Sequence, residues 1–135
     1  MKLRLYSEFG TLQAVLMHRP AREIDRLTPY NKEYLLFEDV PYLEAMQQEH
    51  DVFTDLIKQT TGATVYRLHE LLVQVLADEN TRQQMLQAHL ARSGQQHLSN
   101  LFMERLSTAE CAVALTAGIK VHELRRKVPH LNVGS

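Results

Sequence analysis

Hydrophobic and polar positions change their rhythm once along this chain, near Glu70. Before that point, from Leu12 to about His69, the order reads strand, loop, helix, strand. Ala14-Val15-Leu16-Met17 is continuously apolar, the pattern of a strand covered on both faces, and Arg19 before Pro20 must stay extended. Pro41 suits the first turn of a helix, where its missing donor costs nothing, and Gly62 is a stop signal. Between them Leu43, Met46, His50, Phe53 and Ile57 recur at spacings of three and four, which predicts one apolar stripe. Ala63 to Leu68, centred on Val65 and Tyr66, predicts a second strand. Strand, helix, strand in this order suits an α/β unit, with a parallel or mixed sheet and the helix on one face.

After Glu70 no strand pattern recurs. Thr81 with Gln84, and Ser107 with Glu110, have the spacing of a capping box and predict two helix starts. Met85, Leu86 and Leu90 follow the first, and Cys111, Leu115 and Ile119 follow the second. Leu98, Leu101, Phe102 and Leu106 make a separate stripe after Gly94. Three or four short helices in a small bundle are therefore expected. The chain divides into an α/β part over residues 1–70, a helical part over 71–128 and a tail over 129–135.

Composition narrows the partners. The chain has 135 residues, 44% hydrophobic and 23% charged, with a formal net charge of −1. That length suits one domain with a sizeable core. The charge balance gives no reason to expect a nucleic-acid partner. The first residues, MKLRLYSEFG, hold no apolar run of signal-peptide length, and no segment reaches the length a bilayer requires, so no membrane partner and a cytoplasmic location are expected. One cysteine, Cys111, forms neither an internal disulfide nor a multi-cysteine zinc site. It falls at an inward helix position among Ala109, Ala112, Val113 and Ala114, where an apolar setting raises a thiol's pKa; a core role is favoured over a nucleophilic one. His18 and His50 each read as a general base, a ligand or a hydrogen-bonded structural histidine, and the last is favoured. His69, His89, His97, His122 and His130 lack metal-site spacing, so neither a metal nor a cofactor is expected. The basic run Arg125-Arg126-Lys127 complements a helix carboxy terminus.

Four short signatures point further: Tyr6-Ser7-Glu8-Phe9-Gly10, His18-Arg19-Pro20, Leu36-Phe37-Glu38-Asp39 and Gln48-Glu49-His50-Asp51. With them the stretch closely resembles the amino-terminal part of the arginine deiminases, and the likeness continues with less specificity to about Leu124. The resemblance implies part of an α/β-propeller (pentein-like) blade with an inserted small helical bundle. It implies L-arginine as the substrate of the full-length protein, and L-citrulline and ammonia as products. Hydrolysing a guanidinium requires carboxylates to hold its planar fork, an activated thiolate to attack its central carbon and an acid to protonate departing ammonia. In the family these groups come from further along a several-fold longer chain, so no catalytic residue is assigned here and the segment alone is expected to be inactive. Within the chain, the residue matching Leu36 is implied to pack against the aliphatic part of bound arginine. Asp39 has two readings, a helix amino-terminal cap or a site-organising residue. A stand-alone oligomerising or regulatory module is the competing reading. A blade segment cut from a closed propeller would expose strand edges and an apolar face, so homo-oligomer formation is expected.

Overall fold

The computed structural model describes residues 7–31, 34 and 38–129. Two short strands, β1 (Ala14–Met17) and β2 (Thr64–Arg67), pair in parallel, with Ala14 opposite Thr64 and Met17 opposite Arg67. The crossover between them is α1 (Leu43–Thr61). Gly62 ends this helix at φ 68°, a left-handed conformation that side-chain-bearing residues adopt only with strain. Its N–H bonds the Lys58 carbonyl, and β2 begins two residues later. The mixed helix and strand content, in the predicted order, makes this an α/β unit followed by helices.

The structure departs from the sequence pattern in several places. Tyr42 holds the amino-cap position of α1, so Pro41 lies ahead of the helix and not in its first turn. Asp39 does not occupy the cap either; its Oδ1 accepts from the Val40 N–H at 2.7 Å. The inward face of α1 runs through Thr54, which is fully buried, whereas Phe53, placed in the stripe by its spacing, is 55% exposed. Thr54 escapes a hydropathy pattern because its hydroxyl donates to the His50 carbonyl at 2.7 Å, which meets its polar need within the helix. Among the described residues, β1 is covered less on the Leu16 face than on the α1 side. Leu16 is 56% exposed, while Met17 meets Thr54 on the α1 side.

A helix that the sequence pattern did not reveal, α2 (Leu68–Leu76), starts directly after β2 with no side-chain cap. Next come α3 (Glu79–Arg92), α4 (Ser99–Arg105), α5 (Thr108–Ala117) and α6 (Val121–Lys127). The cap of α3 is Asp78, which accepts from the Thr81 N–H at 2.8 Å; Thr81 itself sits inside the first turn. Ser107 and Glu110 form the predicted box at α5, with Glu110 accepting from the Ser107 N–H at 2.8 Å. Small side chains at Ala112 and Ala114 let α5 pack closely on α2, while α3 packs on α4.

The core lies almost entirely in this bundle. Leu76, Leu86, Leu90, Phe102, Cys111 and Leu124 pack into one cluster. A leucine buried this fully contributes about 2 kcal/mol relative to exposure. In the α/β unit, among the described residues, only Leu27, Thr54 and Ala63 are buried. The buried cluster lies within the bundle, and the two-stranded sheet is thinly covered.

Candidate functional site at the strand ends

Parallel strands of an open α/β sheet present ligands at their carboxyl ends, and here His18 and Arg19 follow β1 while Arg67 ends β2. At the end of β1, Arg19 reaches across to Asp51 on α1. Its Nε donates to Oδ1 at 2.9 Å and its Nη2 to Oδ2 at 2.8 Å, a two-point guanidinium–carboxylate pair. Arg67, at the end of β2, places Nη1 3.7 Å from the same Oδ1. The Arg19 hydrogen bonds hold the Asp51 carboxyl below its usual pKa range and raise that of the guanidinium. Asp51 thus joins three elements: both strand ends and the helix between them. The Gln47 side chain adds a bond to the Pro20 carbonyl at 2.8 Å.

Beyond Pro20 the chain forms a strap over the bundle. His18 Nε2 lies 2.8 Å from Glu23 Oε1, and the same oxygen accepts from the Ala21 N–H at 2.8 Å. These two bonds close the turn after β1; burial pushes the Glu23 carboxyl up, but the bond from its own backbone N–H, joined by those from the Ala21 N–H and His18, holds it below its ordinary pKa. After the 3-10 turn Ile24–Arg26, the Arg26 guanidinium grips the α5–α6 junction. It donates to both carboxylate oxygens of Glu123, at 3.1 and 3.0 Å, and to the carbonyls of Ala117 and Gly118, at 3.2 and 3.1 Å. Arg26 is the main reason that Glu123 is held down to about pKa 2, with the Lys120 N–H second. Asn31 finishes the strap: its amide donates to the Arg26 carbonyl and its Oδ1 accepts from the Thr28 N–H.

A cavity of about 300 Å³ opens between the strand ends and α5, with His18, Glu23, Arg67, His69, Val113 and Thr116 among its walls. Leu36, the residue implied to touch arginine, lies outside the described residues. His18 is engaged by Glu23, and His50 Nδ1 lies 3.3 Å from the Thr54 hydroxyl, so both histidines have structural partners. Cys111 is fully buried, with Sγ near the carbonyls of Phe102 and Leu106, and burial pushes its thiol pKa up. A thiol so placed is a poor nucleophile. No three His, Cys, Asp or Glu side chains gather as a metal set among the described residues. Among the same residues no helix is long and apolar enough to cross a membrane.

Asp51, Arg26 and Glu123 received no role from sequence. Asp51 closes the Gln48-Glu49-His50-Asp51 signature, the sequence signal that sets it apart. Arg26 and Glu123 are 97 residues apart, and no local pattern pairs them.

The α/β unit and helical bundle define the class, and comparison with known proteins defines the family. A family model described as arginine deiminase matches residues 33–131. The chain is 34% identical over 134 residues to the arginine deiminase of Staphylococcus haemolyticus, a match covering 96% of this chain and 32% of that protein. It is 36% identical over 135 residues to the arginine deiminase of Listeria monocytogenes, covering 96% and 33%. With the arginine deiminase of Limosilactobacillus fermentum it shares 39% identity over 92 residues, 68% of this chain and 22% of that protein. The chain belongs to the arginine deiminase family, and it spans about a third of the length of the curated relatives it matches.

Proposed function

We propose that this chain is the amino-terminal segment of an arginine deiminase, a hydrolase that converts L-arginine to L-citrulline and ammonia through a cysteine-bound amidino intermediate. One observation carries the reading: relatives bearing that name align over 96% of this chain but only about a third of their own length. The attacking thiolate, the histidine and the clamping carboxylates belong to the remaining two thirds, and the segment alone is inactive. The buried, pKa-raised Cys111 supports this, because it cannot supply the attack.

Residues 1–70 are read as a partial blade of an α/β-propeller (pentein-like) fold, 71–128 as a helical insertion and 129–135 as the lead into the remainder. The half-covered strand β1, with Leu16 exposed, supports a blade whose other face is meant to be packed. Leu36 packs against the aliphatic part of the substrate. Asp39 takes a site-organising role, which is favoured by Tyr42 holding the α1 cap position in its place. The protein acts as a cytoplasmic homo-oligomer. The test is citrulline release by this chain alone and by the longest polypeptide its gene encodes. Activity confined to the longer product supports the proposal; citrulline from the short chain refutes it.

A further inference from the structure

Between the strap and α6 lies a groove of about 480 Å³ whose walls are mainly polar. Five cationic side chains face it: Arg22 and Arg26 from the strap side, and Lys120, Arg126 and Lys127 from the α6 side. Three carboxylates oppose them, Asp25, Glu110 and Glu123. Two of the three are committed. Glu123 is held by Arg26 at 3.0 Å, and Glu110 by Lys127 at 2.6 Å. Arg22 comes only within 3.9 Å of Glu123, beyond hydrogen-bond reach. The Arg126 side chain has no hydrogen bond or ion pair among the described residues. His122 lines the same groove and adds charge when protonated.

From this excess of positive charge we infer that the groove is a binding site for a small oxyanion carrying about two negative charges, a phosphate group. Arg22 and Arg126 are its principal ligands. The chemistry follows from the donors: a guanidinium presents a planar fork matched to a phosphate edge, and two such forks with their donors unspent complement a tetrahedral dianion better than a halide. The Arg26–Glu123 pair fixes the two walls relative to each other, so the site does not depend on ligand to assemble. Asp25 is the one carboxylate left to compete, and it is outnumbered by Arg22, Lys120 and Arg126.

The free phosphate ion and the phosphate of a nucleotide share this chemistry, and a titration separates them. Two-dimensional amide NMR of this chain is recorded against inorganic phosphate, with sodium chloride adjusted to keep ionic strength constant. Saturating shifts are expected at residues 22, 25, 122 and 126. Arg22→Gln or Arg126→Gln each weakens the apparent affinity about tenfold, the loss of one charged contact, and the double variant abolishes saturation. Arg105→Gln, at an exposed position on α4, leaves binding unchanged. A nucleoside monophosphate that binds more tightly than phosphate identifies a nucleotide as the source; one that binds no better identifies the free ion. Shifts that drift linearly without saturating, or saturation that survives in a folded double variant, overturn the proposal.

Discussion

Replacing Glu123 with glutamine tests whether the strap is held by the Arg26–Glu123 pair. The wild-type carboxylate receives two guanidinium bonds at 3.1 and 3.0 Å, and its side chain is 25% exposed. The amide keeps the volume and one acceptor but removes the charge, leaving a largely covered Arg26 without a counterion. The depression of Glu123 to about pKa 2 from an ordinary 4.5 sets an upper limit of about 3 kcal/mol on the pair's value. Solvent screening at a partly exposed site reduces this to about 1–2 kcal/mol. For a chain of this size that loss lowers Tm by about 4–8 °C at pH 7. The pH dependence has a definite sign. Because the folded pKa is depressed, the stabilisation is fully present above about pH 4.5 and fades as pH falls toward 2. Thermal melts of wild type and Glu123→Gln followed by circular dichroism should therefore differ at pH 7 and converge across that window, since a protonated Glu123 resembles the amide. Equal melts at pH 7, or a gap that persists unchanged down to pH 2, would refute the reasoning.

Other expectations follow from single features. Ser107→Ala removes the cap of α5 and should cost about 1 kcal/mol, read as a lower urea midpoint with unchanged slope. Native Cys111 should resist a thiol reagent such as dithionitrobenzoate and react only on unfolding; prompt labelling of the folded chain would contradict its burial. Val52, Phe53 and Leu56 form an exposed apolar face on α1, so light scattering should report association at high concentration, reduced by Phe53→Glu. A clean monomer under those conditions would count against the self-association proposed above.

Much of the backbone was legible because local rules decided it. The run from Ala14 to Met17, the Gly62 stop and the Ser107–Glu110 box each act within a few residues, and each stands where the pattern placed it. Errors arose where two local signals competed. Asp78 and Thr81 are both good caps, and the earlier one wins because its carboxylate reaches the Thr81 N–H. The helix α2 leaves no local signal, because it follows β2 with neither a turn residue nor a cap to mark its start. The exposure of Leu16 and Phe53 could not be read from hydropathy, which reports what a residue would bury and not whether a neighbour arrives to cover it. The Asp51 and Arg26 networks belong to tertiary structure, joining residues 32 and 97 positions apart. The signatures did disclose the family, and Arg19 and Asp51, drawn from two separate signatures, meet at one ion pair.

Guanidine hydrolysis, on the reading proposed above, needs groups lying in the two thirds of its relatives that this chain does not span. Citrulline release from L-arginine, measured side by side for the purified 135-residue chain and for the longest product of its gene, is the decisive assay. Turnover is expected in the longer polypeptide and none in the shorter; steady citrulline production by the short chain, abolished by Cys111→Ala, would contradict that reading.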